Sequence, residues 1–427
     1  MAPQSQKAGA QAQSGRIESL DTIRGLAALA VLFGHALGLF AWPDGMVFWA
    51  RFPLVYTLFD GRSAVTMFFV LSGFVLSRPY LIQTPTGQTD RQLFVPTFYL
   101  RRITRIWIPW FFVFCLSAVA RSYFFHSYQT VPPMAEHFKQ FWNSALTLPS
   151  FFRQCAFMLH DATRQLLPQD WSLGVELKGS ALVPVFIFLV RRHILLLFGA
   201  GVLLLIFIPT GSYYVSFVLG VFAAKYYYST IQPGMRRLTF ASKCGILALG
   251  MLLYQTRFLT NRLWENSQIA DHFAWCICSI GCVIIITASL GSNRIQAALS
   301  RGMFVFLGRI SYSVYLLQVV VLLCVLLPVT RGFNLIGVQN LAVLLPLTFV
   351  IAVLVTVAIA AITYRVIEVP SMALGHRASS YIQRQFLRRG ANSEIRQKPP
   401  RPTDAGESAS SQNDQSPAPP SARRDPM

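Results

Sequence analysis

The chain alternates between long apolar stretches and short polar breaks, many of them basic. Ten apolar segments stand out, at roughly 22–40, 63–80, 103–120, 171–190, 194–209, 213–228, 242–257, 271–290, 304–327 and 339–364. Runs approaching ~20 apolar residues have the length a helix needs to cross ~30 Å of hydrocarbon. The pattern therefore predicts an all-α polytopic bundle of about ten transmembrane helices. The flanks read differently. Residues 1–16 are rich in Gln, Ala and Ser, and from about Ala391 the chain is Pro, Ser, Gln, Asp and Arg with almost nothing apolar. Such segments cannot bury enough surface to order themselves. The expected organisation is a disordered tail over 1–16, a transmembrane domain over 17–378, and a basic then disordered tail over 379–427. A secretory signal would carry its apolar core nearer the start. Here the first run begins near Leu20 and is long enough to stay as an anchor.

Composition agrees with this pattern. Of 427 residues, 54% are hydrophobic and 13% charged, against ~25% charged in a soluble domain. The chain reads as a multi-pass integral protein of a plasma membrane or an endomembrane, with the lipid bilayer as its first partner. The formal net charge of +20 does not point to nucleic acid, because the basic residues sit at the ends of apolar runs, as topology demands. With the N-terminus in the cytoplasm, the turns Arg91–Arg102, Arg191–Arg192, Arg236–Lys243 and Arg294–Arg301 fall inside. So does the C-terminal segment with Arg377, Arg384, Arg388 and Arg389. The outer turn Pro209–Ser212 carries no Lys or Arg. Both termini are then cytoplasmic, which suits an even number of spans. Loop 121–170 falls outside. Its Phe141, Trp142, Phe151 and Phe152 suggest an amphipathic lid along the interface, and no catalytic role is assigned to its His126, His137 and His160.

The seven cysteines lie mostly in apolar segments (Cys115, Cys276, Cys278, Cys282, Cys324) and suit reduced, packing roles. Cys278 and Cys282 are four apart, but no second pair or histidine completes a metal site. Soluble-enzyme signatures are missing: there is no G-x-S-x-G elbow, Walker loop, G-x-G-x-x-G or H-E-x-x-H.

Chemistry is to be sought among ionisable residues inside the apolar runs, which are costly there and face a partner or a polar cavity. The first span reads LDTIRGLAALAVLFGH (20–35). Arg24 and His35 are eleven residues apart, about three helical turns, so they share one face roughly 16 Å apart. His35 alone would suit a neutral core histidine equally well. The second span, GRSAVTMFFVLSGFVLSR (61–78), holds Ser72 and Gly73, the glycine suiting a close helix contact. Ahead of the third comes FYLRRITRIWIPW (98–110), whose Arg101, Arg102 and Arg105 are spaced so that at least two guanidiniums face one way. The positive-inside rule is enough for Arg101; Arg105 is level with the start of the apolar run and suits a phosphate clamp. QDWSLGVELKGS (169–180) opens the fourth span with Asp170 and places Glu176 about two turns further in. Lys178 points elsewhere on the helical wheel. The ninth span reads LGRISYSVYLLQ (307–318), with Arg309 at its entrance and Tyr315 suited to a polar seam between helices. The tenth ends YRVIEVP (364–370), with Pro370 closing the helix and Glu368 as a surface or cap partner of an arginine.

In this order, these segments resemble the acyltransferase 3 family of integral membrane O-acyltransferases, which includes enzymes that acetylate bacterial surface polysaccharides. The resemblance runs from residue 20 to about 372 and rests on Arg24 with His35, FFVLSGF (68–74), RRITRIWIP (101–109), WSLGVEL (171–177), LGRISYSVYLLQ (307–318) and IEVP (367–370). It implies transfer of an acyl group, acetyl in the first instance, from cytoplasmic acyl-CoA to an acceptor hydroxyl on a carbohydrate, lipid or small natural product. Catalytic residues carried over are Arg24, His35, Asp170 and Glu176, with Trp171 beside them. Donor-binding candidates are Arg102, Arg105, Arg309 and Ser72. The donor is acyl-CoA, with no metal and no nucleic acid, and a homo-oligomer is left open. His35 would act as general base, at an imidazole pKa near ~6.5, or be transiently acylated; Asp170 and Glu176 would orient the acceptor or the imidazole. Two departures stand out. Many members end the ninth-span motif in histidine where this chain has Gln318, and no hydrolase-like domain follows the bundle, so no second transfer step is expected. A secondary transporter using the same intramembrane charges is the competing class.

Overall fold

The computed structural model is all-α. It describes residues 17–39, 52–81, 95–128, 135, 138, 141–142, 146–155, 166–263, 268–338 and 340–397. The chain divides into two units, Met1–Ser380 and Tyr381–Met427. The expected N-terminal tail, His137, His160 and residues beyond 397 lie outside the described residues, as does the side chain of His126.

The main helices are α1 (Glu18–Leu39), α2 (Gly61–Leu81), α3 (Val95–Tyr128), α4 (Leu148–Cys155), α5 (Asp170–Arg192), α6 (Ile194–Phe207), α7 (Gly211–Tyr226), α8 (Phe240–Tyr254), α9 (Gln268–Gly291), α10 (Gly302–Leu335), α11 (Leu341–Thr363) and α12 (Val369–Gln397). Each of the ten apolar segments corresponds to a helix. Seven stretches are long and apolar enough to span a bilayer: Glu18–Leu39, Gly61–Leu81, Val95–Phe124, Asp170–Arg192, Ile269–Gly291, Gly302–Phe333 and Ala342–Gln385. The protein is thus an integral, multi-pass membrane protein. The other three segments form α6, α7 and α8, of 14, 16 and 15 residues. At ~1.5 Å per residue these fall short of the hydrocarbon thickness, so helix length alone supports seven spans where the hydrophobic pattern suggests ten.

Small residues set the closest packing. A Cβ on Gly25 would stand 2.6 Å from the backbone nitrogen of Gly308, so α1 and α10 touch backbone to backbone. They are the most extensively packed pair in the bundle. Seated near their N-terminal ends, they run side by side in the same direction. A Cβ on Gly220 would stand 3.0 Å from the Cα of Gly73, which joins α7 to α2 in the same way. Without a hydrophobic drive between helices in lipid, such close approach supplies the van der Waals attraction. Gly73 therefore makes the close helix contact its sequence context suggests.

α3 and α5 run antiparallel. Tyr99 hydroxyl donates to the carbonyl of Ala181 (2.9 Å), Arg102 Nε to Ser180 Oγ (2.8 Å), and Trp110 Nε1 to Asp170 Oδ1 (2.7 Å). α3 contains Pro109, which has no N–H to give to the Arg105 carbonyl one turn back, so the helix is weakened where the arginine cluster ends. The short helix α4 is amphipathic. Phe151 packs on Phe114 with ring centroids 5.1 Å apart, while Phe152 is exposed.

The tenth span does not close at Pro370. A π-helical turn, Tyr364–Glu368, joins α11 to α12, and Pro370 is the second residue of α12. The π-helical turn just before it shifts the hydrogen-bond ladder, which accommodates the proline in a continuous helix. α12 also runs through Gln397, into the stretch expected to be disordered.

Candidate functional site

The site starts from a stripe on α5. Ser172, Glu176 and Ser180 are spaced by four residues and so lie on one face. Glu176 forms an ion pair with Arg102 of α3, both side chains largely buried. Its Oε1 also accepts a 2.5 Å hydrogen bond from Ser72 of α2, and the Arg102 guanidinium reaches Ser72 Oγ at 3.5 Å. Three helices are thus tied by one carboxylate oxygen. The other, Oε2, is buried without a partner among the described residues. Lys178 is exposed and takes no part.

These residues border a cavity of about 80 Å³ whose lining also includes Arg24, Arg105, Phe68, Ser311, Tyr312 and Tyr315. Its walls are mostly apolar, with the polar groups drawn from five helices. Ser172 and Tyr315 share a short hydroxyl–hydroxyl hydrogen bond, and Tyr312 donates to the Ile106 carbonyl at 2.7 Å. The Tyr315 ring meets Phe68 edge-on, centroids 5.8 Å apart. A second cavity, of about 200 Å³, is bordered by Arg101, Arg102, Arg105, Tyr80 and His376. Arg102 and Arg105 border both.

The arginines differ in how their charge is met. Arg102 is answered by Glu176. Arg24 lies 4.0 Å from Asp21. Arg105 makes no hydrogen bond or ion pair among the described residues, and its charge and that of Arg24 bear on both Arg102 and Glu368. Glu368 is not on the surface: it is 2% exposed, in the π-helical turn, and accepts from Ser313 Oγ at 2.8 Å. A buried carboxylate needs such partners because its desolvation is costly.

The remaining expected residues are elsewhere. His35 lies further along α1, outside the lining of either cavity, half-buried with its ring edge-on to Phe138 at 6.2 Å between centroids. Asp170 is buried and bonded to Trp110, and Trp171 packs against Tyr213 at 5.5 Å between centroids. Arg309 is exposed and borders neither cavity. The structure thus gathers Arg24, Ser72, Arg102, Arg105 and Glu176 around one cavity, and leaves His35, Asp170 and Arg309 outside its lining, Asp170 still bearing electrostatically on Tyr312 and Tyr315.

The family model described as an acyltransferase domain, acyltransferase 3, matches residues 17–365. The chain belongs to the acyltransferase 3 family. No curated protein and no solved structure matches it. Family membership makes it a membrane-embedded transferase, and the transporter reading gives way. In this acyltransferase 3 protein the matched region ends inside the π-helical turn, so it takes in every residue of the first cavity. Sequence reasoning missed Ser172 and Ser180, although their four-residue spacing from Glu176 marks them on the same face. It also missed His376, for which no local motif gives a signal, because only the tertiary fold brings α12 to the arginine cluster.

Proposed function

We propose that this acyltransferase moves an acyl group, acetyl in the first instance, from cytoplasmic acyl-CoA to a hydroxyl of a carbohydrate, lipid or small natural-product acceptor. The observation that carries the reading is Arg105. It is a guanidinium that makes no hydrogen bond or close ion pair among the described residues, though its charge bears on the buried Glu368, and it is set between two cavities and flanked by Arg101 and Arg24. A phosphate is the ligand such a group suits, since charge-assisted bonds to it are short and strong. In this reading the cavity beside Arg101 and His376 faces the cytoplasm and takes the donor's phosphates. Arg105 holds one of them, and Arg102, already neutralised by Glu176, positions the wall. Arg309 plays no part in this clamp.

The thiol arm then runs through the first cavity, past Ser72 and Tyr315, toward His35. The acceptor oxygen attacks the thioester carbon as His35 takes its proton. The C–O bond forms, the C–S bond breaks, and the imidazolium returns the proton to the departing thiolate. An acyl-imidazole intermediate would divide the same transfer into two steps. Arg24 anchors the inner end of this path, about three turns below His35 on α1. Asp170, through Trp110, fixes α5 against α3 at the outer end.

The test uses the full chain in lipid nanodiscs with labelled acetyl-CoA, following free CoA and labelled product. Wild type consumes acetyl-CoA, and His35→Ala inserts normally but does not. Full turnover by His35→Ala, or no turnover of acetyl-CoA by wild type in the presence of native membrane extract, would refute the proposal.

A further inference from the structure

Gln318 is an unusual residue in the core. It is fully buried, and neither atom of its carboxamide has a partner among the described residues. Leaving a buried amide unsatisfied is costly, so such a side chain is normally paired. A second buried carboxamide meets the same stretch of α10. Gln169, at the N-terminus of α5 and 2% exposed, donates Nε2 to the carbonyl of Leu316 at 2.8 Å, two residues before Gln318. Its Oε1 is likewise buried without a partner among the described residues.

The helix register places this pair. Ser311, Tyr315 and Gln318 follow one face of α10, at spacings of four and three. The first two border the inner cavity, and Gln318 is the next polar position outward. α1 and α10 run in the same direction and touch at Gly25 and Gly308. Both rise ~1.5 Å per residue. His35 is ten residues beyond Gly25, and Gln318 is ten beyond Gly308. The imidazole and the unpartnered carboxamide are therefore at one depth, with Gln169 and Asp170 arriving from α5.

We infer that Gln318, with Gln169, forms the seat for the acceptor's hydroxyl group at the level of His35, which makes Gln318 a positioning residue for acyl transfer. This rests on the His35 reading given above. A primary amide offers both a donor and an acceptor, the complement of a hydroxyl that must be held by its neighbouring oxygens while its own proton is taken. It is neutral at every working pH, so it orients the nucleophile without competing with the imidazole for the proton. A polyhydroxylated acceptor, with several oxygens to share between two amides, fits this chemistry better than a simple fatty alcohol.

The experiment compares wild type with Gln318→Met, close in shape but without polar atoms, and Gln318→His, which keeps a donor and an acceptor. Membranes from producing cells, containing their native acceptors, are given labelled acetyl-CoA. Label in acylated product and label released as free acetate are measured separately, with the KM for acetyl-CoA and the thermal midpoint of the purified protein. For Gln318→Met, product formation is expected to fall about tenfold, one neutral hydrogen bond's worth, while acetate release and the KM persist. Its thermal midpoint is expected to hold or rise, because an unsatisfied buried amide has been removed. Gln318→His is expected to recover most of the product. An equal fall in product and acetate, product unchanged from wild type, or a lowered midpoint in Gln318→Met would each overturn the inference. If wild type yields no product from acetyl-CoA, the donor reading fails separately. The thermal comparison then still decides whether residue 318 is a packing residue or an unfilled polar seat.

Discussion

The pairing of Arg102 with Glu176 makes a quantitative prediction. Both side chains are mostly out of solvent, at 10% and 13% exposure. Glu176 also receives Ser72 at 2.5 Å, and Arg102 retains Ser180 at 2.8 Å. Glu176→Ala removes the counter-charge and leaves a guanidinium in a low-dielectric wall, next to Arg24 and Arg105, whose charges already bear on it. Removing one partner of a buried pair costs about 3–5 kcal/mol. The Ser180 bond still holds Arg102 Nε, so the lower part of that range is expected. A loss of this size lowers the thermal midpoint by several degrees in a chain this large. The double variant Arg102→Met/Glu176→Leu removes both charges and fills similar volume, so most of the loss should return, because uncharged replacements of a buried pair are near neutral. The assay is the fraction of monodisperse protein surviving a temperature series in detergent. A Glu176→Ala midpoint equal to wild type, or a double variant no more stable than the single one, would show that the carboxylate does not act by neutralising Arg102.

Other outcomes follow from the same geometry. Arg105→Ala should raise the KM for acetyl-CoA by about tenfold or more, since a charge-assisted bond to phosphate is worth ~1.5–3 kcal/mol, with some fall in the thermal midpoint because the buried Glu368 loses a cation whose charge bears on it; steady-state kinetics decide. Arg309→Ala should leave that KM within about twofold, as expected of an exposed group outside both cavities. Gly25→Val should destabilise the bundle by about 1–3 kcal/mol through overpacking, read as a lower midpoint in the same temperature series. Ser180→Ala should cost about 1.5–3 kcal/mol, the worth of a hydrogen bond to a charged group, with transfer retained.

The helices were legible because hydrophobic runs bounded by arginine are a one-dimensional signal, and every segment read this way is a helix. Length was the weaker guide. α6 is apolar throughout and α7 and α8 largely so, yet they stop at 14–16 residues, where turns such as Pro209–Ser212 interrupt the run. The residues around the first cavity were partly legible. Arg24, Ser72, Arg102, Arg105 and Glu176 were singled out as ionisable or polar groups inside apolar helices, and they share one cavity. What the sequence does not encode locally is who answers whom. Glu176 could have faced the acceptor, and only the antiparallel register of α3 and α5 assigns it to Arg102. The same holds for Asp170, which accepts a hydrogen bond from Trp110 of α3. Arg309 opens the ninth-span motif, but its angular position on α10 turns it to the exterior. Glu368 reads as a helix end only because a π-helical turn cannot be seen in a string of residues.

The backbone seat between Gly25 and Gly308 has one more consequence. It works as a vernier, fixing the height of everything α1 carries against everything α10 carries. A slip of a single residue would move the imidazole by ~1.5 Å relative to α10, and under the proposed role of His35 a misplacement on the order of 1 Å would cost about a hundredfold in rate. A bulkier residue at either glycine would thus mistune the enzyme well before it unfolds it, and the two effects should separate in any variant that still inserts.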